Sequence, residues 1–224
     1  MEANSGLPGT PRRVRNPWGH GDRLRQEIMA ATERLLGALD TDDALTIRGV
    51  ARAAGIAPAS IYPHFGDLTQ LVGALMQDQM QRMADAMALG RDSVPEGDPL
   101  GRLCAILRAY LDFAINNPAH QRILLAFPKG VGVSWGDTGT MRPSAEIGVI
   151  LIEALDACVA AGHRLRVEPA VASQIIMVGA FGRVVLSQAS RGLYDGLSVP
   201  EFLCELIRLV FEPGVELAAS DTGG

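Results

Sequence analysis

Between residues 22 and 211 the apolar positions recur at three- and four-residue intervals, in runs long enough for helices, and no segment shows the alternation of a half-buried strand. Leu24, Ile28, Ala31, Leu35, Leu36 and Leu39 predict an amphipathic first helix over about 22–39, with Asp22 as its N-cap. Ile47, Val50, Ala51 and Ala54 mark a short second helix, which Gly55 stops because glycine tolerates positive φ; Ile56, Ile61 and Phe65 form the apolar side of a third. Asp67 can cap a long helix reaching about Leu89, with Leu71, Leu75, Met76, Met80, Met83 and Met87 as its stripe. Residues 91–99, with two prolines, a glycine and acids, predict a loop. A helix over 99–116 turns Leu103, Ile106, Leu107, Tyr110 and Phe113 inward, and Asn117-Pro118 breaks it before a short helix ending near Phe127. The glycine-rich run 128–140 predicts an irregular surface loop, and helices follow at about 143–161, 168–192 and 199–211. The expected fold class is all-α.

Two short helices meeting at a glycine are the grammar of a helix-turn-helix, a unit that places one helix in a DNA groove. The segment 46–71, TIRGVARAAGIAPASIYPHFGDLTQL, carries Thr46, Val50, Ala51, Ala54, Gly55, Ile56, Ile61, Tyr62, His64 and Phe65 in the order that resembles the DNA-binding domain of the TetR family of transcriptional regulators. Two positions depart from that pattern. Leu68 stands where the family usually has a phosphate-meeting lysine, and Ala57 stands where a serine or threonine usually caps the recognition helix. The missing cap costs about 1 kcal/mol, and Pro58 offsets part of it by pre-setting φ. Residues 109–127 and 179–193 resemble the WHG-type C-terminal domain of the family, without the tryptophan and histidine that name it.

The resemblance divides the chain into a flexible basic arm (1–21), a three-helix DNA-binding domain (22–66), a ligand-binding and dimerisation domain (67–215) and a disordered tail (216–224). Composition fits one such chain: 224 residues with 48% hydrophobic content can bury a sizeable core. The net charge of −5 argues at first against a nucleic-acid partner, but it is unevenly spread. Residues 1–66 hold eight Arg against seven acids, and the remainder holds twelve basic residues against eighteen acids. Arg12, Arg13, Arg15, Arg23 and Arg25 cluster at or before the first helix, where the arm either follows a DNA groove or is a solvated tail. Three well-separated cysteines, Cys104, Cys158 and Cys204, suggest buried thiols in a reducing cytoplasm rather than a disulfide frame. Neither a membrane span nor a signal peptide is expected.

The recognition segment should turn Ala57, Pro58, Ala59, Ser60, Tyr62 and His64 outward. The first three can make only apolar contacts, most usefully with thymine methyl groups, and Ser60 offers one hydrogen bond. Guanine reading is therefore expected from Arg48 on the preceding helix. By resemblance, Thr46, Tyr62 and His64 bind phosphates; read from the residues alone, Thr46 is a helix cap and the other two are packing groups. Met76, Met80 and Met83, with Tyr110, Phe113, Phe127 and Trp135, are the candidate lining of a small-molecule pocket, against the plainer reading of the methionines as core filling.

Other chemistry has less behind it. Gly132-Val133-Ser134-Trp135-Gly136 has the spelling of a nucleophile elbow but no preceding strand, and only His163 follows it. His20, His64, His120 and His163 have no metal-ligand spacing with the cysteines. No cofactor, metal or catalytic residue is expected. The resemblance implies a homodimer, joined through the last two long helices, that binds a near-palindromic duplex operator and releases it when a small apolar or amphipathic effector shifts its conformation. The competing expectation is a ligand-binding or scaffold protein whose helix-turn-helix no longer reads DNA.

Overall fold

The computed structural model describes residues 21–38, 45–126, 142–189 and 196–213. Phe127, Trp135, the Gly132–Gly136 motif, and the N-terminal arm ahead of Gly21 lie outside them, as does the proposed tail over 216–224.

Eight α-helices form the described part: α1 (Gly21–Ala38), α2 (Ile47–Ala54), α3 (Leu68–Asp92), α4 (Pro99–Asn116), α5 (Pro118–Ala126), α6 (Arg142–Ala160), α7 (Pro169–Ala189) and α8 (Val199–Val210). No strand is present among the described residues, apart from one isolated bridge between Leu165 and Phe211. The α3 helix is the spine. It packs most extensively on α4 and also meets α1, α5 and α6, while α7 pairs with α8. One contiguous apolar core runs from Ile28 in α1 to Phe211 beyond α8, so the first and last described helices share a hydrophobic interior.

The helix starts follow local chemistry. Asp67 accepts from the Gln70 amide at 2.7 Å, and the Gln70 side chain in turn accepts from the Gly66 amide at 3.0 Å. Asp98 caps α4 through the Gly101 amide, and Ser198 with Glu201 forms a reciprocal capping box on α8. The expected boundary of the linking helix is corrected: α3 continues past Leu89 to Asp92, so the loop begins at Ser93. In this added turn α3 lies close against α4, since a Cβ on Gly90 would stand 2.8 Å from the Ala105 carbonyl oxygen.

The thiols differ from one another. Cys158 is buried, whereas Cys104 and Cys204 are half-buried. Burial pushes the Cys104 thiol up to about 11, with Cys204 adding to the effect, and the Cys158 thiol up to about 12. Both therefore stay protonated at neutral pH. Among the described residues, α7 is long and apolar enough over Pro169–Ser187 to cross a membrane, yet a third of that stretch is buried against the rest of the chain.

Candidate nucleic-acid interface

Thr46 has extended backbone and its Oγ1 accepts from the Gly49 amide at 3.0 Å, which starts α2 at Ile47. A side chain at position 49 would crowd that hydroxyl, since its Cβ would lie 3.2 Å from it. The helix ends at Gly55, whose φ of 68° is left-handed; the Gly55 amide donates to the Arg52 carbonyl and the Ile56 amide to that of Ala51. This double closure is a Schellman motif, and it turns the chain into the recognition segment. Ile61 is fully buried and Phe65 nearly so, which fixes that segment against the core. Replacing Thr46 with alanine is expected to cost about 1 kcal/mol, read as a thermal midpoint lower by roughly 2–4 °C.

The recognition segment is not the regular α-helix that the apolar spacing predicts. Pro58–Ser60 form a single 3-10 turn, and a further turn follows in which the His64 and Phe65 amides both donate to the Ile61 carbonyl. Pro63 supplies the reason. A regular helix would need an amide proton at position 63 for the Ala59 carbonyl, and the proline ring would collide with that carbonyl. Ala57 provides no side-chain cap, as expected, and Pro58 occupies the first turn. Ala57, Pro58 and Ala59 are exposed, Ser60 and His64 half-exposed, and Tyr62 is 54% exposed, so this set faces outward.

Arg48 and Arg52 stand one turn apart on the open face of α2, and neither forms an ion pair among the described residues. With Thr46, Ile56 and Pro58 they line a shallow groove of about 400 Å³. Arg52 is a candidate DNA contact that the sequence pattern alone did not single out. Its spacing of four from Arg48 carried the signal. Two of the three arginines of α1 are engaged instead: Arg23 pairs with Glu27 at 3.0 Å, and the Arg25 guanidinium lies 4.7 Å from the centre of the Phe65 ring. Arg25 thus clamps the recognition segment to α1. Leu68, in the usual lysine position, is the first residue of α3 and packs partly against the core.

In the larger domain, Met76, Met80, Met83 and Tyr110 are buried on α3 and α4, and Phe113 is half-buried beside them. Their contacts lie within the continuous core. A second groove of about 320 Å³ opens away from them, between the end of α3, the start of α4 and α6, and it is edged by charged groups including Arg91, Glu96, Arg102 and Glu153. Among the described residues no cluster of His, Cys, Asp or Glu could hold a metal ion.

A small N-terminal helix-turn-helix seated on one long helix of an all-helical body is the architecture of a DNA-binding regulator. Residues 28–75 match the description "Bacterial regulatory proteins, tetR family", and residues 103–208 match "Tetracyclin repressor-like, C-terminal domain". The chain belongs to the TetR family, whose members are DNA-binding transcription factors rather than enzymes. The segments that resemble the WHG-type domain fall within the second match.

Solved structures share the fold. A TetR family transcription regulator from Marinobacter aquaeolei VT8 superimposes with a TM-score of 0.65 at 18% identity, over 85% of this chain and 97% of that one. A protein of unknown function from Rhodococcus sp. RHA1 gives 0.69 at 22% identity, over 88% and 100%. The fatty acid degradation regulator FadR from Bacillus halodurans gives 0.60 at 16% identity, over 83% and 93%.

Proposed function

We propose that the protein is a homodimeric, cytoplasmic transcriptional repressor that leaves its operator when a small apolar or amphipathic molecule enters the α3–α4 core. The observation that carries the DNA-binding part is the exposed α2 face, where Thr46, Arg48 and Arg52 stand beside a recognition segment whose exposed first residues, Ala57, Pro58 and Ala59, have no side-chain hydrogen-bonding group. In that arrangement Arg48 reads guanine, and Ala57, Pro58 and Ala59 meet thymine methyl groups or the sugar edge. Thr46, Ser60, Tyr62, His64 and Arg52 set position through phosphates.

The effector part rests on Met76, Met80, Met83, Tyr110 and Phe113. Methionine repacks easily, so an apolar ligand can open space there by moving α3 against α4. Any such ligand lowers DNA affinity only by the difference in its binding to the two conformations.

Paired arginine variants test the DNA contacts. Arg48→Ala is expected to cost about 1–3 kcal/mol and to relax preference at one base pair in each half-site. Arg52→Ala should weaken binding evenly across sequences and reduce the salt slope by about one per half-site. Binding profiles over a library of operator variants read both. Unchanged sequence preference in Arg48→Ala would move the weight to a scaffold whose helix-turn-helix no longer reads DNA.

A further inference from the structure

A chain of polar side chains crosses the boundary between the DNA-binding helices and the larger domain. It lies where α1, α3 and α5 pack against one another. His120 on α5 is buried, and its Nδ1 lies 3.2 Å from the Gln79 Oε1. Gln79, fully buried on α3, uses its other amide atom, and Nε2 donates to the Glu33 Oε1 of α1 at 3.2 Å. That same carboxylate oxygen accepts from the Arg82 Nη2 at 2.8 Å, and Arg82 also pairs with Asp78 at 3.1 Å. The His120 ring is held edge-on to Phe113, with centroids 5.9 Å apart.

The direction of each bond is fixed by what the groups can do. The Gln79 Oε1 only accepts, so His120 must donate from Nδ1. That bond orients the Gln79 amide so that its NH2 faces Glu33. If α5 turns His120 away, a buried carbonyl oxygen loses its partner, and the amide can regain one only by flipping or shifting. A flip would aim Oε1 at the Glu33 carboxylate, placing acceptor against acceptor. The bridge therefore has one good arrangement, and it requires α1, α3 and α5 to keep their present register.

We propose that Gln79 is a positioning residue that couples α5 of the larger domain to α1 of the DNA-binding domain, with His120 setting its orientation and Glu33 receiving it. This role rests on the regulator function proposed above. Coupling between sites is reciprocal, so it can be read from the DNA side without knowing the effector. Amide hydrogen exchange is measured on the full-length protein, free and bound to a duplex selected by the wild-type chain. The variants are Gln79→Met, which keeps the volume but removes both polar atoms, and Glu33→Ala, which breaks the chain at its more exposed end.

Operator binding is expected to change exchange in α5 of the wild type by about fivefold or more. In both variants that change should be lost, while protection of residues 47–65 on DNA is retained. An α5 response that persists in both variants, or a wild type that binds its operator with α5 unchanged, overturns the coupling role and leaves the regulator function intact. A folded wild type that selects no duplex overturns both. If Gln79→Met fails to fold, Glu33→Ala alone decides, because its side chain lies at the edge of the core.

Discussion

Val178→Glu is expected to turn the protein into a folded monomer and to weaken operator binding by roughly two to four orders of magnitude. Val178 is 60% exposed on α7, and Val171, Ile175 and Leu186 continue the same exposed apolar stripe at helical spacing. Gly182 lies within the stripe with nothing within 4 Å of where its Cβ would stand, which leaves room for another helix to approach closely. At the flank of this stripe α7 already approaches α8 closely, since a Cβ on Gly179 would fall 2.6 Å from the Leu206 Cδ2. Leu209 of α8, 67% exposed, extends the apolar surface. The proposed interface is thus a four-helix arrangement of α7 and α8 from two copies. Two-fold symmetry would bury the introduced carboxylate twice without a partner, a cost of several kcal/mol per charge. Each monomer would then hold only one half-site. Light scattering with operator titration reads the outcome, and a Val178→Glu protein that stays dimeric would place the interface on another face.

The second large effect is acid sensitivity centred on His120. Burial, and secondarily the charge of Arg82, lower this imidazole from its ordinary 6.5 to about 4. The native state therefore keeps His120 neutral through a range in which the unfolded chain binds a proton. Stability is unaffected by this group above pH 6.5 and is lost progressively as pH falls from 6.5 towards 4. Each pH unit in that window is worth about 1.4 kcal/mol, so the full loss is on the order of 3 kcal/mol. Urea unfolding of wild type and His120→Asn between about pH 7.5 and 4.5 isolates the contribution, because the carboxylates titrate in both. The variant is expected to be less stable at neutral pH and to lose less stability on acidification. Parallel pH curves would show that His120 titrates in the native state as it does in the unfolded chain.

Local chemistry was legible in the sequence. The helical periodicity placed the helices, and Thr46, Gly55 and Asp67 marked starts and stops because each acts within four residues of itself. The outward set Ala57, Pro58, Ala59, Tyr62 could be read from the inward pair Ile61 and Phe65. Pro63 was visible too, but the apolar pattern around it masked its effect on the recognition segment. What depends on distant partners was not legible. Nothing near Arg25 announces that it lies over Phe65 rather than meeting DNA, and Gln79 reads as a surface residue until α1 and α5 close over it. The close seat of Gly90 against α4 is likewise something that no spacing within α3 encodes.

Selection of bound sites from a random duplex pool, followed by affinity measurement at two salt concentrations, tests the central claim most directly. The expected result is an enriched near-palindrome whose half-sites lie about one helical turn apart, ~34 Å, with affinity falling steeply as salt rises. A folded dimer that enriches no sequence and binds no duplex at low salt would contradict it.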